Sequence, residues 1–260
     1  MSSERPPVPF VVLAAIGVAF VVMPLVGLLS RAPWQTAVGD LGTPEAATAL
    51  RLSIVVSLAA TALALGLGVP LAWVYARVAF PGRDIVRALT TLPMILPPVV
   101  GGVALLFAFG RRGLFGPALD AIGIRLPFTT AGAILAATFV AMPFLVLTVE
   151  AGLRSMDRRY EDAARTLGAG RWLVFRRVTL PLIAPSVFAG AVLCWARALG
   201  EFGATITFAG NLPGTTQTLP LAVYIALETR PEVAIMLSLV LLAVALAILV
   251  VMRDRYLRAF

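Results

Sequence analysis

The sequence contains no histidine and no lysine, and its one cysteine, Cys194, lies inside an apolar run. A lone cysteine cannot form a disulfide within the chain, and without histidine the common zinc sites lack ligands. With no histidine and no pair of acids inside an apolar run, intramembrane metalloprotease or acid–base chemistry has no obvious residues to use. No GxxxxGK[ST] loop occurs, so the chain has no phosphate-binding motif of that kind. Charge is scarce too, at 13% of residues; a soluble domain carries about 25%. Hydrophobic residues make up 60% of the 260, and the mean hydropathy is +0.96. The composition is that of an integral membrane protein of one domain. The 21 basic residues, all arginine, outnumber 13 acidic ones and set a net charge of +8. These arginines sit in short loops between apolar runs. They read as topology signals and lipid headgroup contacts, not as a nucleic-acid surface.

A helix needs about 20 apolar residues to cross a bilayer. Six charge-free runs qualify: Pro6–Ser30, Leu52–Ala76, Ala88–Gly110, Leu126–Val149, Val178–Ala196 and Val233–Met252. The first is longer than the apolar region of a signal peptide, about 7–15 residues, and reads as a retained span. A seventh run, Phe202–Leu227, is long enough, but its middle is GNLPGTTQT. Helix breakers there would leave backbone groups unpaired in lipid, so an extracytoplasmic loop with a re-entrant dip is expected. Six spans put both ends on one side. With the N-terminus inside, 14 arginines fall on inner segments and seven on outer ones, Arg111, Arg112 and Arg125 among the latter. The bias favours an N-in, C-in arrangement. Residues 1–47 form a first helix and its connection, 48–250 a core, and 251–260 a cytoplasmic tail.

Three stretches hold unusual residues. The third run begins TLPMILPPVVGG, and Pro93, Pro97 and Pro98 remove three backbone donors. Two readings stand: a bent packing helix, or a broken helix lining a water-filled path, where irregular backbone is tolerated. The fourth run, with Gly132, alanines and threonines, reads as a packing helix. After the fifth run, Arg197 and Glu201 are four residues apart and share a helix face. They form a structural pair, line a path, or touch an outside partner. Thr205 and Thr207 follow, with further threonines and glycines to Thr218. Such a segment offers hydroxyls and backbone N–H groups, a milder surface for an anion than a deep basic site. It lines an outer mouth or is a polar loop meeting a partner.

The polar island between the fourth and fifth runs, Tyr160–Pro185, reads YEDAARTLGAGRWLVFRRVTLPLIAP. It suits two short helices joined at Gly168 and Gly170, since glycine accepts positive φ. Trp172, Phe175 and Val178 fall near one face. Composition alone allows an ordinary amphipathic cytoplasmic loop. The order Asp162, Ala163, Ala164, Leu167, Gly168, Val178, Leu180, Pro181 is more specific: it resembles the EAA loop of ABC importer permeases, with Asp162 where Glu is usual and Val178 where Ile is common. The resemblance implies an all-α, six-helix type I importer permease fold, in which residues 157–181 dock on a separate ATPase and the first helix wraps a partner subunit.

Further stretches, Leu92–Gly102, Ile124–Phe144 and Ala196–Tyr224, resemble the molybdate permeases within that family, whose tungstate and sulfate relatives are close. This implies a bacterial inner-membrane homodimer working with two ATPase subunits, which hold the ATP and Mg, and with an extracytoplasmic oxyanion-binding protein. The permease itself would hold no cofactor. Pro97, Pro98, Arg197, Glu201, Thr205 and Thr207 would belong to the path or its outer mouth. Sulfate or thiosulfate is the alternative cargo. A proton- or sodium-driven transporter fits less well, because Glu150 and Glu201 sit at span ends and no internal repeat is seen.

Overall fold

The computed structural model describes residues 7–36, 39 and 41–256, with side chains to 250. Arg5 and the side chains of Arg253, Arg255 and Arg258, which were counted as inner arginines, lie outside the described residues. The chain is all-helical, with no strand among the described residues. Among the described residues five helices are long and apolar enough to cross a membrane, and one bent pair of shorter helices is apolar enough when its two arms are taken together.

Helix α1 is Val8–Ser30; none of its residues is buried by the rest of the chain. Helix α2, Pro44–Arg77, starts where the Thr43 side chain accepts from the Ala46 N–H at 3.3 Å. It therefore begins inside the stretch read as a polar connection, and the boundary at 47/48 falls within it. After Gly82 come α3, Arg83–Thr91, a 3-10 turn at Leu92–Met94, and α4, Pro98–Phe109. These two arms are bent by 117°. The run Ala88–Gly110 is thus broken in the middle, not one straight helix. The prolines explain the break, since each removes an N–H and clashes with the preceding turn. A short helix α5, Gly116–Ala121, precedes α6, Thr130–Ser155, which is capped by the Thr129 hydroxyl accepting from the Gly132 N–H at 3.1 Å.

Helix α6 is the centre of the molecule. It packs against α2 and against α8, Arg171–Leu199. Lipid tails are as apolar as these side chains, so close van der Waals contact, not water exclusion, holds such helices together. The residues match that need: Ala60, Ala64 and Ala72 of α2 meet Ala133, Ala137 and Ala141 of α6 in one buried cluster. A Cβ on Gly68 would come within 2.7 Å of Leu145, so the glycine sets that spacing.

The seventh run is not a loop. It folds as α9, Gly203–Ala209, and α10, Leu219–Thr229, joined by a turn over 210–218. Its breakers find partners inside the protein. Ser53 accepts from the Leu219 N–H at 2.6 Å, Thr216 from the Leu212 N–H at 2.9 Å, and the Thr130 hydroxyl donates to the Thr215 carbonyl at 2.8 Å. Irregular backbone at depth is tolerated where protein supplies the missing bonds. Helix α11, Pro231–Tyr256, closes the fold and packs on α10. It carries the chain into the segment read as a tail as far as Tyr256; residues 257–260 lie outside the description.

Candidate functional site

The polar island folds as helix α7, Arg159–Thr166, a turn, and the start of α8. Helix α7 ends in two reversed bonds, Gly168 N–H to the Arg165 carbonyl at 2.9 Å and Ala169 N–H to the Ala164 carbonyl at 3.1 Å. This closing motif needs a left-handed residue after the helix, and Gly168 has φ 84°. Nothing lies within 4 Å of a Cβ placed on Gly168; backbone conformation, not space, requires the glycine. Gly170 differs from expectation: at φ −65° it is extended, and any residue adopts that conformation.

The island presents a raised face. Leu167 is 89% exposed and Trp172 72% exposed, with Leu173, Tyr160, Asp162 and Ala163 also open. Trp172 stacks on Phe175 at 5.7 Å, and Phe175 meets Trp73 of α2 edge-on at 6.3 Å. An apolar knob is thus braced on a span. Asp162 pairs only at the surface, with Arg165 at 3.1 Å. Val178 and Leu180 are half-buried and Pro181 is exposed at the foot of α8, where residues Phe175–Thr179 form a π-turn.

Sequence reasoning missed the groups beneath that face. Glu161 is buried and takes Arg77 Nε at 3.0 Å and the Thr179 hydroxyl at 2.6 Å. Glu150 is buried between Arg154, at 2.7 Å, and Arg87, at 3.0 Å. Only the Glu150–Arg154 spacing of four was readable as a helix-face pair. The other partners come from distant helices.

At the opposite end Arg197 and Glu201 do pair, at 2.6 Å. Glu201 is buried and also accepts from the Ala204 N–H at 2.8 Å, capping α9, while Arg197 stays partly open. Pro97 and Pro98 are exposed at the break. A Cβ on Gly203 would meet Pro98 at 2.7 Å, and one on Gly102 would meet Thr207 at 2.6 Å. The break and α9 are therefore in close contact, and Thr207 is half-buried in that seam, its hydroxyl bonded to the Gly203 carbonyl at 2.8 Å. Thr205 is buried inside the chain, away from any open surface.

These features, a raised glycine-closed island between two spans and a broken helix beside the short α9–α10 pair, are those of a permease. Residues 64–259 match the family described as binding-protein-dependent transport system inner membrane component, and the chain belongs to it. It is a multi-pass inner-membrane protein. Among its relatives is the molybdenum transport system permease protein ModB of Mycobacterium tuberculosis, 50% identical over 234 residues, covering 89% of this chain and 88% of the relative. The protein of that name from Escherichia coli K12 is 43% identical over 210 residues, covering 80% and 92%. The sulfate transport system permease protein CysT of Salmonella typhimurium is 35% identical over 204 residues, covering 78% and 74%. In fold, the chain is similar to a bacterial ABC transporter that imports alginate, with TM-score 0.75 at 20% identity over 96% of this chain and 94% of that one.

Proposed function

We propose that this chain is the membrane-spanning subunit of an ATP-driven importer that moves molybdate, and tungstate as a close mimic, across the cytoplasmic membrane. What carries the reading is the 50% identity to a molybdenum permease over nearly the whole of both chains. The sulfate permease relative stands lower, at 35%. In this reading the permease works as a homodimer in the N-in, C-in orientation. The faces around Asp162, Ala163, Ala164, Leu167 and Gly168 dock on two ATPase subunits, which hold ATP and Mg. An extracytoplasmic binding protein delivers the oxyanion to the opposite end. Closure of the ATPase pair moves the two α7 faces together and opens the permease outward; hydrolysis resets it.

The path runs past the break at Pro97–Pro98 and the Arg197–Glu201 pair. Conduction needs sites that hold an ion weakly enough to release it. A free arginine would trap a dianion, but Glu201, at 2.6 Å, offsets the Arg197 charge. Thr207 borders this region, and Thr205 supports it from within.

The test is uptake of labelled molybdate in cells with and without the gene, with tungstate and sulfate as unlabelled competitors. Loss of high-affinity uptake on deletion, with competition by tungstate and not by sulfate, is the expected result. Retained molybdate uptake alongside lost sulfate uptake overturns the cargo and moves the chain to the sulfate permeases.

A further inference from the structure

Beneath the exposed α7 face, one buried carboxylate joins three helices. Glu161 lies in the first turn of α7. Its Oε2 accepts from Arg77 Nε at 3.0 Å in the last turn of α2, and its Oε1 accepts from the Thr179 hydroxyl at 2.6 Å in the π-turn of α8. The side chains of Glu161 and Arg77 are only 3% and 7% exposed. Arg158, at the start of α7, donates to the Ala76 carbonyl at 3.1 Å, a second tie between the same two elements. The chain leaves Arg77 for α3 through a short turn, and the buried Tyr75 reaches across to α3, its hydroxyl 2.6 Å from that of Thr90. Arg87 of α3 reaches Glu150 of α6 at 3.0 Å. Helix α3 leads directly to the proline break, and Pro98 there touches Gly203 of α9.

We propose that Glu161, through Arg77 and Thr179, is the positioning residue that delivers movement of α7 to α2, α3 and the broken helix. The proposal rests on the reading of α7 as the ATPase-docking face. Without these ties, a push on α7 would be taken up in the connection around Met156 and Asp157, since loops yield more readily than packed helices. With them, α7 moves only if the ends of α2 and α8 move too. The charges suit this use. A buried pair is weak as a source of net stability but strict in geometry, because either partner left alone is costly. Asp162, beside Glu161 in sequence, is exposed and has no such reach.

The experiment uses the whole transporter, permease with its ATPase and binding protein, in proteoliposomes. The readout is labelled molybdate imported per ATP hydrolysed. The double variant Arg77→Met with Glu161→Leu removes the pair without stranding a buried charge. A merely structural pair replaced in this way leaves the ratio unchanged. The proposal expects the ratio to fall about ten-fold, within the range of allosteric coupling, while the ATPase still copurifies. Thr179→Val, which cuts only the link to α8, is expected to lower it about three-fold on the same scale. It also decides the question if the double variant fails to assemble. Leu167→Arg, on the open face, is expected to release the ATPase. Loss with Leu167→Arg but wild-type ratios for the double variant and Thr179→Val overturns the positioning role alone. Normal copurification and transport by Leu167→Arg overturns the docking reading, and the positioning role with it.

Discussion

The two ends of this bundle are joined by different chemistry. At the α7 end, distant elements are tied by charge: Arg77 to Glu161, 84 residues apart, and Arg87 to Glu150. At the opposite end, distant elements are tied by neutral groups, Ser53 to Leu219 and Thr130 to Thr215, and by glycine contacts at Gly102 and Gly203. The ion pairs there among the described residues are local: Arg197–Glu201, four residues along a helix, and Arg125–Asp120, five residues apart. Charged ties are strict about geometry and suit a region that passes on force. In the proposed reading, the self-neutralised Arg197–Glu201 pair keeps that arginine from acting as a trap for a dianion.

The largest effect that would sharpen this contrast is at the charged end. Arg77→Met strands the buried Glu161 carboxylate and is expected to cost about 3–5 kcal/mol, read as lost thermal stability in detergent. Adding Glu161→Leu should restore most of it. A single substitution as mild as the double one would mean that water reaches Glu161 and the tie is loose. At the neutral end, Gly102→Val drives a side chain into Thr207 and the Ala204 carbonyl, at 2.6 and 2.9 Å from the new Cβ. Overpacking of this kind costs about 1–3 kcal/mol. Gly66→Val serves as the control, since nothing lies within 4 Å of that Cβ. Equal losses at both glycines would show that the seam between α4 and α9 does not set the cost, since valine has the better helix propensity at either site.

Local chemistry was legible in the sequence, and long-range partnership was not. The prolines at 93, 97 and 98 announced a disturbed span, and the spacing of Arg197 and Glu201 announced their pair, because both effects act within a turn or two of helix. Gly168 announced the closure of α7 for the same reason. The run Phe202–Leu227 reads as a loop with a re-entrant dip; its two short helices are not legible because Ser53 and Thr130, 166 and 85 residues away, supply the missing bonds. No local pattern marks Glu161, next to the motif; its contacts are with Arg77 and Thr179, which only the fold brings to it. Thr205 and Thr207 were grouped by type, yet α9 turns one into the interior and the other into a seam.

Two smaller predictions separate docking surface from support within α7. Gly168→Val forces a β-branched residue to φ 84°, a strain of about 1–2 kcal/mol. It is expected to lower ATP-driven uptake in normally inserted protein, with Gly168→Asn close to wild type because asparagine tolerates that region. Full uptake by the valine variant would show that the turn relaxes without harm. The smallest change is expected from Asp162→Asn. Its partner Arg165 is 50% exposed and Asp162 itself 65%, so solvent screens the pair and thermal stability should move by no more than about 0.5 kcal/mol. If uptake falls while stability holds, Asp162 acts on the ATPase directly, and the adjacent acids divide their work: Glu161 inward as the tie, Asp162 outward as the contact. If neither moves, the outward face depends on Leu167 and Trp172, and its chemistry is apolar.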